Sequence, residues 1–378
     1  MLQKKREHCT VSRRGFLKTG AQALSAVAGG TLLAGCGGGG GAEPSAAPVA
    51  NLAPAVTSFS PSAEASGKVV VITGSNFDSS ASVSFGGVRA TRFSVDSSTQ
   101  ISATVPPAAG SGPLVVTTSG GSAQSSASLS VLSAPAPAVG YQLAWHDEFD
   151  GNSLGAAWNA GTAVRDGATQ SVRAVTVANS VLTISTFTDA ATGTHYTGFL
   201  NTKNLREFTY GYIEARLRFV NSPGQWSAFW LQSSGNKAQT PPNPAAGAEI
   251  DIIEHRAVTA SATDISKRFV SNLHWNGYAA GQEQSVGSAL MALPAGQAFS
   301  DWHTMGLLWT ASGYQVYLDG VLAWSATTGV SQSNEYILLT SEVRGNDWAG
   351  NIPAGGYGAQ GADANPLMQV DWVRLWQA

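Results

Sequence analysis

The chain has 378 residues, only 12% of them charged, and a formal net charge of −3 at neutral pH. Nucleic-acid binding needs a basic surface, so this composition argues against a nucleic-acid partner. The two cysteines are Cys9 and Cys36, and the first falls in a segment that we expect to be removed. The mature chain can therefore form no internal disulfide, and its stability must come from apolar cores, for which the length allows two domains.

The first 35 residues have the pattern of an export signal peptide. The run Ser-Arg-Arg-Gly-Phe-Leu-Lys at 12–18 resembles a twin-arginine signal, and an apolar stretch of small residues follows. That stretch is too short and too rich in glycine and alanine for a transmembrane helix. It ends in Leu-Ala-Gly-Cys, which resembles a bacterial lipobox and predicts lipidation of Cys36, with cleavage without lipidation as the alternative. We therefore expect an exported protein, lipid-anchored to the bacterial cell envelope at the outer membrane or cell surface.

A flexible linker and a small β-domain follow. Residues 36–52 are rich in glycine, alanine and proline, which is typical of a flexible linker. Residues 53–132 contain short β-prone runs at roughly the 8–12-residue spacing of a small β-sandwich. The pieces Gly-Ser-Asn-Phe at 74–77, Phe-Gly-Gly at 85–87 and Val-Pro-Pro at 105–107 resemble an IPT/TIG immunoglobulin-like domain. The segment has no carboxylate cluster, so we expect a spacer or protein-contact module.

A second linker, residues 133–140, leads into the segment 141–378, which contains all eleven tryptophans. Many short strand patterns with polar turns, and no long helical pattern, predict a two-sheet antiparallel sandwich. Asp319-Gly320 between two such patterns indicates a tight hairpin. Enrichment in tryptophan is expected of a cleft that binds a polysaccharide, because aromatic rings stack on sugar faces.

The stretch 249–254 reads Glu-Ile-Asp-Ile-Ile-Glu, and its β-branched residues indicate a strand. Strand alternation puts Glu249 and Asp251 on one face, and a β-bulge at 252–253 would return Glu254 to that face. A solvated, charge-rich edge strand is the alternative, but no cation follows until Arg256. Glycosidic bond cleavage needs one ionised carboxylate and one carboxylic acid that carries a proton, which such a cluster can supply.

This stretch resembles the bulged E-x-D-x-x-E active-site motif of glycoside hydrolase family 16. Four further segments agree with the family and occur in the family's order: 145–151, 210–216, 224–230 and 370–374. The resemblance covers about residues 141–378 and implies a β-jelly roll whose concave sheet forms the substrate groove. It implies a retaining endo-acting hydrolase with Glu249 as nucleophile, Glu254 as acid/base and Asp251 tuning both.

Candidate sugar contacts follow from alternation combined with the resemblance. Trp226 and Trp230 share one strand face, which the resemblance directs to the cleft. Asn272 and His274 share a face that the resemblance places beside the acids. Trp348 lies on a glycine-rich loop and is a candidate platform at the cleft edge. Ordinary core packing for the tryptophans, and a structural role for His274, are the alternatives.

Catalysis by two carboxyl groups requires no cofactor. The resemblance implies a structural calcium ion held by Glu148 and Asp371 with a backbone carbonyl near Ser180, and calcium prefers such hard oxygen ligands. An empty site or ordinary hydrogen bonding is the alternative.

The substrate is less sharply indicated. The bulged motif of the family goes most often with 1,3-β-glucan such as laminarin, whereas other relatives cut agar, carrageenan or other galactans, or transfer chains. The segment 342–344 departs from the laminarinase pattern. A non-catalytic polysaccharide-binding lipoprotein, or an adhesion lipoprotein, is a third possibility. We expect a monomer whose partners are the polysaccharide and, through Cys36, the membrane.

Overall fold

The computed structural model describes residues 51–345 and 347–378, so the predicted export signal and the lipid on Cys36 lie outside the described residues and stay predictions. The described part is almost entirely β-structure, as predicted, with three short 3-10 helices at Ala136–Ala138, Val172–Ala174 and Pro244–Ala246. Among these residues, no helix has the length and hydrophobicity needed to cross a membrane.

The N-terminal domain is a sandwich of two sheets around its own apolar core, which includes Ile72, Phe85 and Ile101. One sheet has the order β1-β3-β7-β6 and the other β2-β9-β8-β4-β5. The strands that form it are β1 (Ala55–Ser60), β2 (Ala63–Ala65), β3 (Val69–Ser75), β4 (Ser82–Phe85), β5 (Val88–Arg89), β6 (Phe93–Ser97), β7 (Gln100–Thr104), β8 (Gly112–Thr118) and β9 (Gly121–Leu132).

The C-terminal domain contains two large antiparallel sheets and a small third one. Its strands are β10 (Gln142–Asp147), β11 (Asn159–Ala160), β12 (Val164–Arg165), β13 (Ala168–Gln170), β14 (Val175–Ala178), β15 (Val181–Ser185), β16 (Phe187–Thr188), β17 (His195–Thr197), β18 (Phe199–Asn201), β19 (Glu207–Phe208), β20 (Gly211–Val220), β21 (Gln225–Gln232), β22 (Ala248–Arg256), β23 (Arg268–Trp275), β24 (Gln284–Gly287), β25 (Met291–Ala292), β26 (His303–Thr310), β27 (Gly313–Leu318), β28 (Val321–Ala326), β29 (Glu335–Val343) and β30 (Leu367–Gln377).

The nine-stranded sheet has the order β11-β18-β29-β21-β22-β23-β24, with β19 beside β29 and β25 beside β23. The eight-stranded sheet has the order β14-β15-β30-β20-β26-β27-β28, with β10 beside β30. Residues from both sheets, such as Leu217 and Val373 on one and Leu231, Ile250 and Leu339 on the other, form one buried cluster. Because strand side chains alternate, the opposite face of the nine-stranded sheet is left free to form a binding surface.

The turn between β27 and β28 confirms the predicted hairpin. Leu318 pairs with Val321, so Asp319 and Gly320 form a two-residue loop. Their φ angles are 49° and 76°, as a type I′ turn requires at both central positions.

The two domains meet in a packed seam. Ala63, Ala65 and Leu132 of the first domain share an apolar cluster with Tyr212 and Trp376 of the second. The backbone N–H and the hydroxyl of one serine, Ser62, both donate to Asp150 at 2.9 Å. Beside them, His146 Nε2 lies 3.4 Å from a carboxylate oxygen of Glu64. The N-terminal domain therefore contributes to the stability of the second domain as well as its own.

His146 makes this seam sensitive to pH. Burial lowers the pKa of His146, but hydrogen bonds to Glu148 and Glu64 outweigh burial and raise it to about 9. The interaction of protonated His146 with Glu148 and Glu64 therefore stabilises the fold fully below about pH 6.5, the ordinary pKa of histidine. This contribution is lost as the pH rises through about 9. We expect the free energy of unfolding to fall by up to about 3 kcal/mol over that range, since one pH unit is worth about 1.4 kcal/mol.

Glu64→Gln should flatten this pH dependence in thermal or urea unfolding, because it removes one of the two carboxylates that hold the imidazolium. The exposed Asp363→Asn change is the control and should leave the slope as in the wild type. An equal slope in Glu64→Gln and wild type would contradict the assignment.

Candidate active site

The bulge predicted in the acidic strand is present. On one side of β22, Asp251 pairs with Asn272 but Glu254 pairs with Val270, so β22 has one residue more than β23 between these pairs. On its other side, the register with β21 breaks at the same place. An extra residue reverses the alternation beyond it. Glu249, Asp251 and Glu254 therefore share the free face of the sheet, whereas the three isoleucines between them lie in the buried core.

Neighbouring strands continue this free face as rows of paired residues. Glu249 of β22 lies in a row with Tyr336 of β29, Gln232 of β21 and His274 of β23, and Asp251 lies in a row with Leu338, Trp230 and Asn272 of the same three strands. Glu254 lies in a row with Thr340 of β29 and Ala228 of β21. A fourth row contains Glu342, Trp226 and Arg256. The floor of the site is thus set by strand register, which brings the predicted residues Trp226, Trp230, Asn272 and His274 around the acids.

The three carboxyl groups do not titrate like exposed ones. Burial raises the pKa of Glu249, although the Tyr278 hydroxyl opposes this, and burial with the nearby Glu249 and Glu254 charges raises the pKa of Asp251 well above its usual range. Burial raises the pKa of Glu254 to about 7, against an opposing hydrogen bond from Asn272. Like charges at close range favour shared protons, so the cluster can hold an acid and a carboxylate together at neutral pH.

Each acid has its own polar partner. The side-chain amide of Asn272 donates to Glu254 Oε2 at 2.6 Å. On the other acid, the Gln232 amide donates to Glu249 Oε2 at 3.0 Å. His274 lies with Nε2 3.6 Å from Asp251 Oδ2. One possible ligand atom each from Glu249, Asp251 and His274 lies within 4.8 Å of the others, but such groups of acidic side chains are common in proteins without a metal ion.

Aromatic rings flank the acids on both sides. On the Glu249 side, a cavity of about 580 Å³ is lined by Trp230, Phe199 and Tyr336, among others. On the Glu254 side, the rings of Trp226 and Trp348 meet edge to face at 5.7 Å, and the Arg256 guanidinium lies 3.9 Å above Trp348. Such surfaces suit sugar rings on either side of a bond to be cleaved.

The predicted tryptophans therefore lie around the acids, as strand alternation and the resemblance indicated, with their sugar contacts still a prediction. Trp226 and Trp230 are 8% and 6% exposed, so most of each side chain is packed against protein and only a small part of its surface is free for a sugar. Trp230 also donates to the Thr340 hydroxyl at 3.0 Å, which fixes its orientation. Trp348 is half-buried, and its carbonyl accepts a hydrogen bond from Arg256 at 2.7 Å.

The side chains proposed as calcium ligands do not fit a calcium site. Both oxygens of Glu148 accept hydrogen bonds from Arg374, at 2.9 and 2.8 Å. Asp371 accepts one from Arg216 at 2.6 Å. Guanidinium groups thus already hold both of the proposed carboxylate ligands. Calcium binding stays a prediction that this arrangement does not favour.

Several residues at the site were not found from the sequence. Gln232 could have been, since it continues the alternation of Trp226 and Trp230 along β21. Tyr278, Glu283 and Arg165 also line the cavity, but they come from loops or a two-residue strand that carry no periodic signal.

Comparison with known proteins places both domains. A family model described as "Beta-porphyranase A-D, GH16 domain" matches residues 143–378, and the IPT/TIG domain model matches residues 54–132. Glucan endo-1,3-beta-glucosidase A1 of Niallia circulans is 25% identical over 280 residues, covering 64% of this chain and 39% of the relative. The clotting factor G alpha subunit of Tachypleus tridentatus is 24% identical over 257 residues, covering 63% and 34%. The chain thus spans about two fifths or less of these relatives.

Solved structures share the fold. The endo-beta-1,3-glucanase from Pyrococcus furiosus has 24% sequence identity and a TM-score of 0.50, with 63% of this chain and 94% of that chain covered. Porphyranase B from Zobellia galactanivorans has 23% identity and a TM-score of 0.51, with 63% and 92% covered. These similarities confirm the jelly-roll prediction. Since the family model matches well over half of the residues, the chain belongs to glycoside hydrolase family 16.

Proposed function

We propose that this protein hydrolyses internal β-glycosidic bonds of a polysaccharide with retention of anomeric configuration, and that its substrate is a 1,3-β-glucan. The bulge in β22 supports this most directly, because it gathers Glu249, Asp251 and Glu254 on one face between two aromatic surfaces. Retaining hydrolysis needs a nucleophilic carboxylate and a second carboxyl group that acts as acid and then as base.

In the first step, a carboxylate oxygen of Glu249 attacks the anomeric carbon, and the bond to the leaving oxygen breaks. Glu254 gives its proton to that oxygen, which leaves as a hydroxyl group. In the second step, Glu254 takes a proton from water, the hydroxide attacks the anomeric carbon, and Glu249 is released as a carboxylate. A pKa of about 7 lets Glu254 hold the proton at neutral pH and give it up in the transition state.

Asp251 lies between the two glutamates and responds to their charges. Burial first, and then the charges of Glu249 and Glu254, raises the pKa of Asp251 well above its usual range, so its titration is coupled to theirs. The aromatic surfaces on both sides of the acids support cleavage within a chain rather than at its end, since sugar units bind on either side of the broken bond.

The preference for 1,3-β-glucan is supported by the similarity to the glucanase of Niallia circulans. A galactan that carries anionic groups is the second candidate. Arg165 and Lys203 line the cavity beside Glu249, and the matching family model is described by β-porphyranases. A binding role without turnover is less well supported, because burying three acids is costly and binding alone does not need them.

Reducing-sugar release from laminarin, mixed-linkage glucan, agarose, porphyran, κ-carrageenan and β-1,3-galactan tests this proposal. Residues 53–378 should be used, since the seam joins both domains. We expect turnover of laminarin, a loss of about a thousandfold or more in Glu249→Gln, and unchanged turnover in Asp363→Asn. Turnover of a galactan alone would contradict 1,3-β-glucan as the substrate but would leave the proposed retaining mechanism unchanged. Binding of a polysaccharide with no turnover of any would contradict the proposal.

A second prediction concerns the pH profile of kcat/KM. Activity should fall as the pH rises through about 7, because Glu254 then loses the proton that it must donate. Asn272→Ala removes a hydrogen bond that favours the ionised form of Glu254, so its pKa should rise. The alkaline limb should therefore move up by about half to one pH unit. Asn201→Ala, an asparagine that lines the cavity on the Glu249 side and makes no described hydrogen bond to Glu254, is the control. An unmoved or lowered limb in Asn272→Ala would exclude Glu254 as the acid.

A further inference from the structure

Glu249 is held through one of its two carboxylate oxygens. The Gln232 amide donates to Oε2 at 3.0 Å, and the Tyr278 hydroxyl donates to the same Oε2. Gln232 also contacts the Tyr278 hydroxyl, so the three side chains form one small network. Among the residues that the structure describes, none donates a hydrogen bond to Glu249 Oε1. The two oxygens therefore have different surroundings before any substrate arrives.

Tyr278 extends to Glu249 from a loop that is held by several hydrogen bonds. This loop comprises residues 276–283, and we call it the positioning loop. The backbone N–H of Gly277 donates to Asn236 Oδ1 at 2.9 Å, and the Asn276 amide donates to the carbonyl of Gln282 at 2.9 Å. Asn276 Oδ1 accepts from the backbone N–H of Gln239 at 2.6 Å. These bonds tie the loop to the segment that follows β21, and so fix the point from which Tyr278 extends.

Backbone geometry at the start of the loop is demanding. Asn276 and Gly277 have φ angles of 69° and 72°, the left-handed region that glycine and asparagine tolerate best. A Cβ atom at Gly277 would lie 2.8 Å from the backbone nitrogen of Ala238. A left-handed pair here turns the chain sharply after β23 and brings Tyr278 back over the acids.

The positioning loop also contacts Asp251 indirectly, through His274. Glu283 Oε1 lies 2.5 Å from His274 Nδ1, and His274 Nε2 lies 3.6 Å from Asp251 Oδ2. One loop thus contacts Glu249 directly and Asp251 through His274. Burial and the Glu249 charge raise the pKa of Tyr278 strongly, so the phenol keeps the proton that it donates to Glu249, while its oxygen accepts a hydrogen bond from the Gln232 amide.

We propose that Tyr278 and Gln232 are positioning residues that hold Oε2 of the nucleophile Glu249 and thereby direct Oε1 to the anomeric carbon. This rests on the proposed function. When Oε1 forms its bond to carbon, Oε2 becomes the carbonyl oxygen of the ester and its share of the charge decreases. When water breaks that bond, charge returns to the carboxylate, and the two donors stabilise it as it develops.

Tyr278→Phe tests this proposal, because the residue as a whole is 55% exposed and the change removes only the hydroxyl that contacts Glu249. We expect kcat to fall about tenfold to a hundredfold, which is what losing a hydrogen bond to a charged group costs, with KM little changed. The acid limb of the pH profile should move up, because Glu249 loses a donor that favours its ionised form. Tyr141→Phe, a tyrosine of the domain seam whose hydroxyl makes none of the described hydrogen bonds, is the matched control and should leave both kcat and the pH profile as in the wild type. A rise in KM alone would mean that Tyr278 serves only as a sugar platform and would overturn the proposal.

A measurement without substrate separates this proposal from the proposed function. Carboxyl 13C NMR titration of the free protein, with Glu249 assigned by difference from Glu249→Gln, should show a higher pKa for Glu249 in Tyr278→Phe than in wild type. An unchanged pKa would overturn the positioning role even if hydrolysis is observed. Absence of turnover in the wild type with a raised pKa in the variant would instead reject the proposed function alone. Gln232→Leu removes the other donor to Glu249 Oε2, so it should also raise the pKa of Glu249. This variant replaces Tyr278→Phe in the titration if Tyr278→Phe does not fold.

Discussion

The site depends on one extra residue in β22. Without it, strand alternation would turn Glu254 into the layer between the sheets, among residues such as Phe229 and Leu273, which have no exposed surface. A carboxyl group there would lose its solvation without a polar partner, which is among the most costly changes a core can undergo. With the bulge, Ile252 and Ile253 both fill that layer, and the core and the acidic face are satisfied together.

The acidic face is itself costly, since three carboxyl groups lie close together, with Asp251 buried and Glu249 and Glu254 half-buried. The structure offsets part of this cost with specific donors: Asn272 for Glu254, and Gln232 and Tyr278 for Glu249. Asp251 has no such donor among the described hydrogen bonds, and burial with the charges of Glu249 and Glu254 raises its pKa well above the usual range. The proton distribution that catalysis needs is therefore a consequence of how the cluster avoids burying three charges.

Sequence reasoning succeeded where a property repeats along the chain. Strand alternation placed Trp226 and Trp230 on one face of β21, and the bulge followed from the need to align Glu254 with Glu249. It failed where the partner is distant or the segment irregular. Tyr278 extends to the acids from the loop between β23 and β24, and nothing in the neighbouring sequence indicates that its side chain points towards them.

Calcium binding stays a prediction, and the two carboxylates on which it depends illustrate what the sequence does not reveal. Glu148 and Asp371 have the right chemistry and were matched to the family by position. Which cation they face depends on Arg374 and Arg216, which lie across strand pairs that local patterns do not reveal. Positions carried over from a family thus predict where carboxylates lie, and the tertiary partners decide what they bind.

Azide rescue tests the central claim that Glu249 and Glu254 have these two roles. An aryl β-glycoside of the oligosaccharide that the enzyme releases would be supplied with azide to Glu249→Gly and Glu254→Ala, and the products analysed by proton NMR. We expect an α-glycosyl azide from Glu249→Gly, because azide then attacks directly on the nucleophile's face. We expect a β-glycosyl azide from Glu254→Ala, because azide opens the covalent intermediate. The reverse assignment of products, or no rescue of either variant while the wild type is active, would contradict these roles.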